Sequence, residues 1–253
     1  MFTWKNAPLS SPLVPVLAGL VYLLGIFYLL PGIVLPEDCR DFLKKSFVVH
    51  NASLSFLSLL LFAGCLYEVV QRSQKEGTAE WMLCETATES NGPLFLWTYL
   101  FYVSKYVEML DTVFVVLTGS RQKHMLLHCL HHAVIPGLVW GWLEYQMTYQ
   151  WIGLLFNSAV HIPMYSYFAV RICIPNLPKY LANCIFCCQI SQFATAILVG
   201  MIKGPHLQDT ECRGKGAMVV NLLFYMVLLV LFVQMKICPK SDLTPVPVEA
   251  TDP

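Results

Sequence analysis

Apolar residues run along this chain in blocks of about twenty, not in the short alternation of a soluble strand or the one-sided stripe of a soluble helix. The blocks fall at about 12–35, 46–70, 94–118, 124–143, 149–170, 179–202 and 216–236. Each is close to the roughly 20 residues that a helix needs to cross the hydrocarbon core of a bilayer. The pattern predicts an all-α integral membrane protein with seven transmembrane helices. The first block is too long and too lightly flanked by positive charge for a secretory leader, so it is read as an uncleaved span. No internal repeat is visible, and no connection is long enough to hold a soluble domain. Residues 1–238 are therefore expected to form a single polytopic domain, and the Pro-rich stretch 239–253 a disordered cytosolic tail.

Composition agrees with the pattern. The chain is 57% apolar and 13% charged, against roughly 25% charged in an ordinary soluble domain. The 16 basic and 16 acidic residues balance, which gives no attraction to nucleic acid. Basic residues in the connections divide six to nine between the two sides, with the smaller share on the N-terminal side. By the positive-inside bias the N-terminus is lumenal and the C-terminus cytosolic. Most of the 10 cysteines lie inside spans, where cysteine acts as a small apolar filler. Cys84 and Cys212 lie in lumenal connections, and an oxidising lumen would allow them to pair; two free thiols are the alternative. Asn51-Ala52-Ser53 is a glycosylation sequon, but this topology places it at the cytosolic mouth of the second span, so it is expected to stay unmodified.

The chemistry concentrates in residues 105–132, which carry Lys105, Glu108, Asp111, His124, His128, His131 and His132. An ionisable side chain at the centre of a span costs about 2.5–3.5 kcal/mol on insertion scales, so these groups face a protein interior and not lipid. At 100° per residue, Lys105, Glu108, Asp111 and Thr112 share about 120° of arc on the third span. Lys105 and Glu108, three apart, can pair. The histidines of the fourth span share one face, as do Asn157, His161, Met164, Tyr165 and Phe168 on the fifth, and Gln189 and Gln192 on the sixth. Four polar stripes must then meet one another or a wet cavity. His50 and His206 stand outside this cluster in the sequence.

Two kinds of chemistry fit such a face. Histidines and carboxylates could ligate a metal, as in membrane desaturases and hydroxylases, although those use three histidine boxes with at least about eight histidines and this chain has 7 histidines in all. Alternatively, an imidazole acts directly as nucleophile or base, with buried charge orienting it or stabilising an oxyanion. A proton relay in a transporter would also use buried Lys, Glu, Asp and His, but the repeats and broken midplane helices of transporters are not visible here.

The motifs resemble those of the ELO family of very-long-chain fatty acid elongases. KYVEMLDT fits KxxExxDT, HCLHH fits HxxHH, and NSAVHIPMYSYF fits NxxxHxxMYxYY with Phe168 in place of the last tyrosine. CQISQF is similar to the end of TxxQxxQF, with Phe186 at the threonine, and HNASLSF to the YN…S opening of the second helix. The resemblance covers the second to sixth spans and implies seven helices, six of them enclosing an acyl tunnel, in the endoplasmic reticulum membrane. It implies condensation of acyl-CoA with malonyl-CoA to 3-oxoacyl-CoA, CO2 and CoA, the first step of fatty acid elongation, by a ping-pong route. No metal or other cofactor is implied. Homodimerisation, a membrane-lipid environment, and reductases and a dehydratase as partner enzymes are.

Carried onto this chain, His131 is the acyl-accepting nucleophile, and His161 assists decarboxylation or condensation. His128 and His132 position imidazole and substrate, and Lys105, Glu108, Asp111, Asn157 and Tyr165 form a polar wall. Cys84 and Cys212 sit where family members have a lumenal disulfide. Gln189 and Gln192 are expected to touch substrate, and Arg121, Lys123, Arg171 and Lys179 to meet the anionic CoA at the cytosolic mouth. LTGSRQK is less basic than the LRKK usual in the family at that connection, and the tail has no clear dilysine signal.

Overall fold

A backbone in hydrocarbon has to satisfy its own N–H and C=O groups, so each apolar block folds as helix. The computed structural model describes residues 2–33, 35–77, 80–86, 88–119, 125–203 and 212–237. Its α-helices are α1 (Leu13–Leu24), α2 (Glu37–Glu76), α3 (Glu80–Leu83), α4 (Pro93–Glu108), α5 (Leu110–Leu117), α6 (Met125–Glu144), α7 (Gln150–Cys173), α8 (Lys179–Lys203) and α9 (Lys215–Ile237). Among the described residues there is no strand, only an isolated bridge between Thr3 and Asn91.

Among the described residues five stretches are long and apolar enough to cross a membrane: Leu13–Gly32, Glu37–Glu76, Met125–Glu144, Lys179–Met201 and Lys215–Gln234. The expected third span falls short because it is divided at Met109 into helices of 16 and 8 residues. Ser104 donates to the Phe101 carbonyl at 2.8 Å just before the break, a back-bond that competes with the helical ladder and bends helices. The expected fifth span, α7, has the length at 24 residues but carries Asn157, Ser158, His161 and Ser166 along it. On length and apolarity alone, then, the expected seven stand at five. The second span is longer than its apolar block: α2 runs 40 residues, with the charged segment from Glu37 already helical. The short α3 has no apolar block to announce it.

Successive long helices reverse direction, and α2 lies along α7 in the most extensive helix pairing, tied at mid-height by Ser55, whose Oγ donates to the Ile162 carbonyl at 2.9 Å. At one end, the N-terminal segment, the α3 loop and the start of α9 knit together. Trp4 donates its backbone N–H to the Ser90 carbonyl (3.0 Å) and its indole N–H to Glu144 (2.8 Å). Arg72 grips the buried Glu85 with two bonds of 2.8 and 3.1 Å and stacks over Trp81. Cys84 and Cys212 are joined as a disulfide, Cα atoms 5.0 Å apart. Beside it Gly214 has φ +73°, and a Cβ there would strike the Met147 backbone, so only glycine fits the turn. The main core of Leu61, Cys65, Phe101, Val139, Trp142, Leu143 and Leu154 fills this half of the bundle. The other half is left less filled, and the polar residues gather there. Asn51 of the sequon is fully buried, its Nδ2 donating to the Phe47 carbonyl at 2.8 Å.

Candidate active site

Helical spacing decides which side chains face inward. α6 presents His128, His131 and His132 on one face, α7 presents Asn157, His161 and Tyr165, and α8 presents Gln189 and Gln192. Together with Asp111 and with apolar Leu127, Val160, Met164, Phe168, Phe193 and Phe232 they line a cavity of about 220 Å³. The lining mixes imidazole, carboxylate and amide with aromatic and aliphatic side chains, and α6, α7 and α8 each contribute both kinds.

Behind the polar wall lies a buried charge cluster. Lys105, 1% exposed, donates to Glu108 Oε1 at 2.6 Å and to Asn157 Oδ1 at 3.0 Å, and its ammonium sits 4.0 Å from the centre of the Phe101 ring. Ser104 adds a bond to the same Glu108 oxygen at 3.3 Å. With Asn157 Oδ1 turned to the lysine, Nδ2 faces His161 Nε2 at 3.2 Å and donates to it. That puts the His161 proton on Nδ1, which faces Glu108 Oε1 at 3.7 Å. One buried cation therefore sets an amide, and the amide sets a tautomer.

The α6 histidines are held by rings instead. His128 and His132 approach to 4.3 Å between centroids, His131 meets His132 edge-on at 5.4 Å, and His131 stacks on Phe224 at 6.0 Å. His128 Nε2, His131 Nδ1 and His132 Nδ1 are buried without a protein hydrogen-bond partner. His161 is engaged at Nε2 and faces a carboxylate with Nδ1, whereas the α6 imidazoles keep a nitrogen free for chemistry. Among the described residues no three His, Cys, Asp or Glu side chains converge in a group that could hold a metal ion.

The structure thus brings Asp111, His128, His131, His132, Asn157, His161, Tyr165, Gln189 and Gln192 to one cavity. Lys105 and Glu108 do not line it; they stand one layer back and act through Asn157 and His161. Arg171 and Lys179 are exposed and off the lining, Arg171 lying against Tyr167 of its own helix. Arg121, Lys123, His124 and His206 lie outside the described residues. One expectation is corrected. His50 does not stand apart from the cluster: its Nε2 lies 2.7 Å from Asp111 Oδ1, and both side chains are nearly buried. The α1 helix adds another tie, with Tyr22 and Thr112 hydroxyls 2.6 Å apart.

The profile of the ELO (GNS1/SUR4) family matches residues 7–237 of this sequence. The chain belongs to the ELO family. Similar proteins include fatty acid elongase sre1 of Dictyostelium discoideum, 32% identical over 199 residues, 77% of this chain and 71% of that protein. Fatty acid elongase A of the same organism is 33% identical over 198 residues, 76% of this chain and 68% of the relative. Very long chain fatty acid elongase 5 of Xenopus tropicalis is 33% identical over 169 residues, covering 62% and 52%. Against several such relatives the match spans about half of the relative's own length. Membership gives the cavity a context: a multi-pass helical ELO protein gathers buried polar groups around a space that apolar side chains also line.

Proposed function

We propose that this ELO protein condenses a long-chain acyl-CoA with malonyl-CoA to give 3-oxoacyl-CoA, CO2 and CoA, with His131 as the acyl carrier. The observation that carries the reading is the half-polar, half-apolar cavity in which α6 imidazoles have nitrogens with no protein partner. A neutral imidazole attacks the thioester, the C–S bond breaks, and the departing thiolate takes the remaining N–H proton, leaving N-acyl-His131. Malonyl-CoA then loses CO2, and the resulting carbanion attacks the acyl carbonyl, displacing the imidazole. His161, held between Asn157 and Glu108, assists the decarboxylation or the condensation; His128 and His132 hold His131 and substrate.

The rest of the reading follows from it. All seven helical segments cross the endoplasmic reticulum membrane, with the N-terminus lumenal and six of them surrounding the acyl chain. CoA binds at the cytosolic end, where Arg121, Lys123, Arg171 and Lys179 supply positive charge. No cofactor takes part. A homodimer, and delivery of product to the reductases and dehydratase that complete elongation, belong to the same proposal. The test is a condensation assay on purified protein in detergent, with radiolabelled malonyl-CoA and acyl-CoAs of graded length, together with mass spectrometry of the α6 peptide. Labelled 3-oxoacyl product and an acyl adduct on His131 are expected. Absence of condensation with every acyl-CoA, accompanied by bound iron, would favour a metal-dependent hydroxylase or desaturase instead.

Two cavities lie one above the other, and the partition between them bears on chain length. Beyond the first, a smaller cavity of about 30 Å³ is lined by Gly153, Ala196, Gly200, Asn221, Leu222 and Tyr225, among others. Phe193 lines the first cavity, Tyr225 the second, and their rings pack at 5.8 Å. Phe193→Ala is expected to join the two and move the preferred acyl-CoA at least about one two-carbon unit longer. Each methylene that finds apolar room is worth about 1–3 kcal/mol in kcat/KM. Ala196→Leu in the same chain should move it back, and competition between acyl-CoAs reads both.

A further inference from the structure

The proposed condensation consumes a proton. After the C–N bond to the acyl group breaks, the imidazole leaves as an anion and takes one proton to regenerate neutral His131. Malonyl-CoA enters as a carboxylate and leaves that carboxylate as CO2, and the proton shed in the acyl-transfer step has departed with CoA. Neither substrate supplies the missing proton. It has to reach a cavity lined by buried and half-buried side chains, and a pair of groups that joins the cavity to its outside would deliver it.

His50 and Asp111 together meet this description. His50 comes from α2, which does not line the cavity, and its Nε2 is 2.7 Å from Asp111 Oδ1. Asp111 lines the cavity with His128, His131 and Tyr165. His50 keeps 10% of its side chain exposed, while Asp111 keeps 8%. Its ring lies beside Phe47 and Phe114, at 6.5 and 5.2 Å between centroids, and those two rings stack on each other at 5.1 Å. A purely structural tie between α2 and α5 needs no titratable ring at that point, since the Phe47–Phe114 stack already joins the helices.

We propose that His50 and Asp111 form the proton-return couple of the reaction. This rests on the condensation reading above. Protonated His50 hands its proton to the Asp111 carboxylate, Asp111 passes it into the cavity to the departing imidazole, and His50 recovers a proton from water outside. Atoms balance over the cycle: one proton enters per 3-oxoacyl-CoA formed.

The two half-reactions separate this role from a structural one. CoA released from acyl-CoA alone reports acyl transfer, which needs no returned proton; CO2 released on adding malonyl-CoA reports condensation and recovery. His50→Gln keeps an N–H donor for Asp111 but cannot shuttle. The CoA burst is expected to stay within about twofold of wild type, while steady condensation falls about 100-fold or more, the range of a lost general acid–base group. The solvent deuterium isotope effect on condensation should rise in the variant. His50→Phe, which removes the donor as well, should show at least the same loss wherever it folds. Unchanged condensation in His50→Gln, or equal losses in both half-reactions, would overturn the couple and leave His50 a structural tie. A wild-type protein that makes no 3-oxoacyl product would instead sink the condensation reading itself.

Discussion

Replacing His131 with alanine is expected to reduce condensation at least about 1000-fold, because loss of a covalent nucleophile removes a chemical step that positioning alone does not restore. The two neighbouring histidines sharpen the test. His128 and His132 also have buried nitrogens without partners and lie against each other at 4.3 Å, so either could pick up a misplaced acyl group. The decisive reading is therefore the adduct as well as the rate. Incubated with acyl-CoA alone, the wild type should release one CoA per chain and carry the acyl mass on the peptide containing His131. The variant should do neither, and its Tm in detergent should change little, since the ring is only partly buried and its contacts are to Phe224 and His132. An adduct that persists in the alanine variant would assign the nucleophile elsewhere on α6.

Lys105→Met should be the most destabilising single change in the site. Removing one partner of a buried ion pair leaves the other charge uncompensated and costs about 3–5 kcal/mol. Here Glu108 is 3% exposed and already has one oxygen, Oε2, without a partner. For a chain of this size that corresponds to a fall in Tm of about 6–20 °C. The double variant Lys105→Met with Glu108→Gln removes both charges and should recover most of that loss. It should not recover activity. Lys105 also accepts no substitute in orienting Asn157, whose amide fixes the proton on His161. Thermal unfolding in detergent and condensation rate, measured on the single and double variants, separate the two effects; a double variant as unstable as Lys105→Met would show that the uncompensated Glu108 charge is not the source of the loss, and one that regained activity would overturn the orienting role.

What could be read from sequence followed one rule, helical periodicity, and what could not lay between helices. The Lys105–Glu108 pair is three residues apart and forms as spacing predicts. The α6 histidine face and the Asn157–His161–Tyr165 stripe are also matters of 100° per residue, and they meet at the cavity. His50 and Asp111 are 61 positions apart on different helices, so no periodicity joins them. The Phe193–Tyr225 partition is of the same kind. Apolar blocks marked where helix would form but not where it would break or extend. Met109 breaks the third block between Glu108 and Asp111, with no glycine or proline there to announce it, and α2 continues into charged sequence because Glu37, Asp38, Arg40, Lys44 and Lys45 suit an exposed helix as well as a loop. That Lys105 and Glu108 would stand a layer behind Asn157 and His161 was likewise invisible to spacing, which gives direction around a helix and not depth.

The cysteines carry one more consequence. The bond between Cys84 and Cys212 closes one end of the bundle. The exposed free thiols described, Cys39, Cys173, Cys184, Cys187 and Cys188, belong to the start of α2, the finish of α7 and the first half of α8, all toward the opposite end. A redox buffer therefore acts on the two ends in opposite senses: a reductant opens the disulfide and leaves the thiols as they are, while an oxidant leaves the disulfide and acts on whatever thiols it can reach. Alkylation before and after reduction reads the two ends separately.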